Sequence, residues 1–130
     1  MNNECQNLLA EARALLAEAK GLNENGQHGA ALEQAYHVSE GVAATYLLAT
    51  SGQRLPPNDA TYDLFAKTIR EPNRHPASLQ TIREIVGDVC ALREAYEPAL
   101  LDETTAQAAQ QMIDHVTGLL KLVKVTVADS

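Results

Sequence analysis

Apolar residues recur every three or four positions along most of the chain, the spacing of helices that bury one side. Over residues 3–22 the stripe is Leu8, Leu9, Ala12, Leu15, Leu16, Ala19 and Leu22, with Glu11, Arg13, Glu18 and Lys20 opposite. Gly21 and the run Asn23-Glu24-Asn25-Gly26 end this first helix. The second covers 28–51 and closes at Ser51-Gly52. Its interior holds no lysine or arginine, and Ala30, Ala31, Ala35, Ser39, Gly41, Ala43, Ala44 and Ala49 put small side chains on nearly every side. So little bulk lets neighbours approach closely, which predicts the central and most buried helix of the fold.

Residues 53–58 read as a loop, with Asn58 as N-cap of a short third helix, 59–70, whose apolar side is Leu64, Phe65, Thr68 and Ile69. Pro72 and Pro76 make 71–77 a second loop. Ser78 then caps a fourth helix running to residue 97, with the stripe Leu79, Ile82, Val86, Val89 and Tyr96, and Ile85 and Leu92 alongside. Pro98 stops it. Thr104 or Thr105 opens the last helix, in which Ala108, Ala109, Met112, Ile113, Val116, Leu119, Leu120 and Val123 make a wide apolar face to residue 124. The tail, 125–130, contains the β-leaning run Val125-Thr126-Val127 and is expected to fray. No strand-period alternation and no internal repeat appears elsewhere. The expected fold is all-α: one domain, residues 1–130 with its core over 3–124, built as an antiparallel bundle of four long helices and one short one.

Composition narrows the class. Aromatics are 4% of the chain and tryptophan is absent, so the core must be aliphatic. A net charge of −7 works against non-specific binding to nucleic acid. The charge is uneven: residues 1–50 hold 2 basic and 6 acidic side chains, against 6 and 7 over 51–101, so an anion site belongs in the middle region. Cys5 and Cys90 stand far apart with no metal-type spacing, which suits thiols in a reducing cytosol. The N-terminus has neither the basic nor the apolar segment of a signal peptide, and no apolar run reaches membrane-spanning length. A cytoplasmic protein is expected, with no cofactor.

Three constellations bear on chemistry. Glu33, His37 and Glu40 share one face of the second helix, the spacing with which a bundle offers carboxylate and imidazole to a metal. The matching Glu-x-x-His pair that a di-metal bundle needs is missing, so no metal is expected, and the trio reads as a solvated or interface side. His28 and His115 have no partner in sequence that would make them a site. Arg93 falls on the margin of the fourth helix's apolar stripe, where a guanidinium either snorkels outward or pairs with an acid across an interface. Arg70 and His75 form an arginine, four residues, histidine. Such a pair can cleave RNA without metal, the imidazole moving protons while the guanidinium stabilises the phosphorane charge. With Arg54, Lys67 and Arg74 they are the one basic patch and the candidate ligand-binding set. The alternative is a charged loop bracketed by Pro72 and Pro76.

The order of helices and several short motifs resemble the HEPN superfamily, the higher eukaryote and prokaryote nucleotide-binding domain, in its small stand-alone bacterial form. Ala35, Glu40, Leu47 and Leu48 in AYHVSEGVAATYLLATSG fall where that family has its A…E…LL…G helix. Pro56-Pro57 followed by Asp63-Leu64 is similar to its P…THDL stretch, with Thr61-Tyr62 where a histidine is common. Leu92-Arg93-Glu94-Ala95-Tyr96, a loop and an alanine-rich helix resemble its LR…ADY segment and last helix. The likeness covers residues 30–124. It implies either a dimeric metal-independent ribonuclease with an Arg-x(4–6)-His motif, or a non-catalytic partner, often beside a minimal nucleotidyltransferase. The position matching the motif's arginine is Arg93, but Tyr96 and Pro98 occupy the span where the histidine belongs. Arg70 and His75 have the spacing but lie one helix too early. Both departures imply the non-catalytic kind: a homodimeric binding module with a protein partner such as a nucleotidyltransferase or an antitoxin. The rival expectation is a ribonuclease using Arg70 and His75 with Arg93 in support; a nucleotide bound beside the 53–77 loops is the third.

Overall fold

The computed structural model describes residues 3–69, 77–96 and 103–128. The fold is all-α. Among the described residues there are five helices and no strand: α1 (Asn3–Glu24), α2 (His28–Ser51), α3 (Asp59–Ile69), α4 (Ala77–Ala95) and α5 (Ala106–Ala128). No helix among them is long and apolar enough to cross a membrane.

The helix ends follow local chemistry. Gly26 and Gly52 take positive φ, +84° and +73°, the left-handed conformation that glycine enters without a Cβ clash. The Gly52 amide donates to the Leu48 carbonyl at 3.0 Å and closes α2. Asn58 is the N-cap of α3, its Oδ1 accepting from the Thr61 amide at 2.9 Å. Thr105 does the same for α5, its Oγ1 accepting from the Ala108 amide at 3.0 Å.

Helix α2 packs against α1, α3 and α5, while α5 also packs against α1 and α4. The position predicted for α2 is therefore the observed one, and it buries twelve residues along its length. α1 runs back along it, as shown by Gln34 Nε2 donating to the Leu15 carbonyl at 2.8 Å and by Arg54 reaching Glu4. The core is aliphatic, from Leu32 and Val42 in α2 to Met112, Val116 and Leu119 in α5. Its rings gather at α2–α3, where Tyr46 and Phe65 meet edge to face at 5.2 Å.

Four expectations change. α5 does not fray at residue 124 but runs to Ala128, because Val127 falls four positions after Val123 and both are fully buried. Local β-preference gives way to that packing. α4 begins at Ala77, one residue ahead of the expected cap. Leu64 of α3 is exposed, and the inner side carries Thr61, Tyr62, Phe65 and Ile69 instead. In α1 Cys5, Leu9, Ala12, Leu16 and Ala19 are buried, and Leu22 packs half-buried against the core. Leu8 and Leu15, each one position off that seam, stay 36% and 44% exposed.

Candidate functional site

Two features stand out, and His37 belongs to both. The first is a polar cluster of residues from α2, α3 and α4. Of the solvated or interface side expected from sequence, the solvated option fails for Glu40, which is only 3% exposed, while the Glu33 and His37 side chains stay exposed. Glu40 Oε1 is hydrogen-bonded to His37 Nδ1 at 2.6 Å, while His37 Nε2 lies 3.7 Å from Glu33. Burial raises the Glu40 pKa above the usual carboxylate value; the bond to His37 opposes this and the neighbouring Asp59 carboxyl adds to it. The Tyr36 hydroxyl donates to Asp59 Oδ1 at 3.0 Å. Burial, and then this bond, push the Tyr36 phenol up, so it stays protonated as the donor.

Arg93 enters from α4 and lies over the Tyr36 ring, Cζ 4.7 Å from its centroid, a cation–π contact. Neither sequence option for Arg93, snorkelling or an acid across an interface, describes this. Its Nη1 is buried and has no hydrogen-bond partner among the described residues. Tyr36 also stacks on Tyr62, ring centroids 5.8 Å apart. The Tyr62 hydroxyl is buried with no hydrogen-bond partner among the described residues, and the nearby Ser39 hydroxyl donates to the Tyr36 carbonyl.

The second feature is a groove between α1 and α2. A concavity of about 670 Å³ is walled by Leu8 and Leu15 of α1 and floored by Ala12, Val38 and Gly41, with Pro57 at one edge. It adjoins a smaller one, about 220 Å³, that shares Leu8, Gly41, Thr45 and Pro57 and extends to Leu48 and Leu55. A Cβ added at Gly41 would meet nothing within 4 Å. Glu11, Glu33, Gln34 and His37 line the wider part, and Gln34 also reaches Glu18 at 3.3 Å.

Compared with known proteins, the chain matches no family model, no curated protein and no solved structure. Its function is therefore argued from the site.

The predicted basic patch is only partly placed. Arg70, Arg74 and His75 lie outside the described residues. Lys67 is exposed on α3. Arg54 makes a two-pronged ion pair with Glu4, Nη2 donating to Oε2 at 2.7 Å, and its charge is matched there. His28, without a partner in sequence, is hydrogen-bonded through Nδ1 to Asn23 Oδ1 at 2.6 Å. His115 is half-buried on α5.

The polar cluster ties three helices together, but among its described members no base faces a nucleophile. The groove offers apolar area and shape. Sequence reasoning noted Arg93 and the Glu33-His37-Glu40 trio but passed over Tyr36, Asp59 and Tyr62. A signal for them existed: Tyr36 and Glu40 are four apart on one face of a helix rich in small residues, so their bulk can meet a neighbour there.

Proposed function

We propose that this chain is a non-catalytic binding module of HEPN-like type: an antiparallel four-helix bundle with α3 as the extra short helix. It acts through protein–protein contact in the cytoplasm, as a homodimer or beside a partner such as a nucleotidyltransferase or an antitoxin. The observation that carries this reading is the α1–α2 groove, with leucines left exposed where the other long helices bury theirs. The polar cluster supports it, since Arg93, matched by resemblance to a ribonuclease arginine, is laid against Tyr36.

One observation favours the ribonuclease reading instead. The Arg93 Nη1 lacks an acceptor among the described residues, and a phosphate oxygen would supply one. RNA cleavage in EDTA separates the two. The module reading expects no cleavage; cleavage lost in Arg70→Ala, His75→Ala or Arg93→Ala overturns it. Light scattering at micromolar concentration reads the dimer, and a lone 14.0 kDa species removes that part.

A further inference from the structure

Resting on the module reading, we infer that the α1–α2 groove receives one amphipathic helix from a different protein, with an apolar stripe flanked by lysine or arginine. Length, shape and charge each contribute to this assignment.

The two concavities run together from Ala30 to Leu48 of α2. At a helical rise of about 1.5 Å per residue this is about 27 Å, the length of a helix of about 18 residues. The trough is open along its middle, since nothing occupies the space above Gly41, and α1 contributes leucines one heptad apart, Leu8 and Leu15. An apolar helix face read at i, i+3, i+4 and i+7 fits such a trough.

Charge decides whose helix it is. Among the described residues, the wider concavity is lined by Glu11 and Glu33 and by no lysine or arginine. At the narrow end Arg54, the one cation among the described lining residues, is already matched by Glu4. A second copy laid in the groove about a two-fold axis would bring Glu11 and Glu33 toward their own counterparts, in a chain that already carries −7. A helix flanked by lysine or arginine meets both carboxylates with opposite charge. His37, hydrogen-bonded to Glu40 behind it, forms part of the wall at the same level.

The test uses a fluorescein-labelled synthetic helix of about 18 residues, matching the length of the groove, with a leucine–alanine stripe and lysine flanks. Fluorescence anisotropy compares it with the same peptide carrying glutamate flanks and with a lysine peptide whose stripe is scrambled. The lysine peptide is expected to saturate. The glutamate peptide should bind at least about tenfold more weakly at low salt, the gap narrowing as salt screens the rim, and the scrambled peptide should not bind. Gly41→Leu fills the floor and should abolish binding; Leu15→Ser, at an exposed position, does the same work should the first variant not fold. Glu11→Gln with Glu33→Gln should weaken the lysine peptide and reduce its salt dependence. No saturable binding, equal binding of the glutamate peptide, or binding untouched by both groove variants overturns the inference. So does a dimer in light scattering that Gly41→Leu dissolves, which would make the occupant a second copy. EDTA-resistant RNA cleavage would instead overturn the module reading, whatever the peptides do.

Discussion

The Glu40 carboxyl is buried between His37 and Asp59, and its raised pKa has a consequence for stability. In the folded chain the group holds a proton more tightly than the unfolded chain does at its ordinary value of 4.5. Its contribution is therefore fully present below that value and is lost as pH rises through the folded pKa. Glu40→Gln keeps the shape and removes the titration. The Tm of wild type minus that of the variant should fall as pH climbs from about 4.5 toward 7. Thermal melts across that range check it, and a difference that is flat or grows with pH contradicts the assignment. The sequence puts Glu40 with Glu33 and His37 on a solvated or interface side and does not separate the two. The reason is specific: α2 has small or apolar residues nearly all round, so its pattern does not say which sector meets solvent. Arg93 was legible as odd, from its place on the stripe's margin, but its partner was not. A cation–π contact joins residues 57 positions apart, Tyr36 and Arg93, and no local spacing encodes that.

Among the helices, α5 gives the sharpest measurement. Val125 is 64% exposed and Val127 fully buried, two residues apart in a segment whose composition favours strand. Truncating Val127 to Ala should cost about 2 kcal/mol, since it removes buried methyl groups beside Val123. Val125→Ala should change stability by less than about 0.5 kcal/mol. Denaturant melts of the two variants decide it; equal and negligible effects would mean that the last turn does not pack. The other boundaries were readable because they are set by short-range chemistry, as with Asn58, Thr105 and the glycines at 26 and 52. The end of α5 was not, because it depends on what α5 lies against. The exposure of Leu8 and Leu15 was hidden for a related reason. They belong to the same apolar periodicity as Leu9 and Leu16, and only the width of the surface that α2 and α5 present to α1 separates covered from uncovered.

At the scale of the whole molecule, five helices and the central place of α2 followed from periodicity and side-chain size. The groove did not, because it is the space left over when helices of unequal width are packed. Another whole-molecule feature is the distribution of the rings. The chain has no tryptophan, and Tyr36, Tyr46, Tyr62 and Phe65 form one connected set at α2–α3, touched from α4 by Arg93. Three of the four tyrosines therefore report that corner in near-ultraviolet dichroism, the fourth, Tyr96, follows α4, and α1 and α5 carry no Phe, Tyr or Trp. Far-ultraviolet ellipticity, by contrast, reports all helices at once. For a single cooperative unit of this size the two melts should coincide. A near-ultraviolet transition at lower temperature would mean that α3 and its tyrosines come away first, leaving the α1–α2–α5 core in place. A tryptophan introduced at Leu15 would give the dark side its own signal and, from the groove wall, would brighten or dim as a helix settles against it.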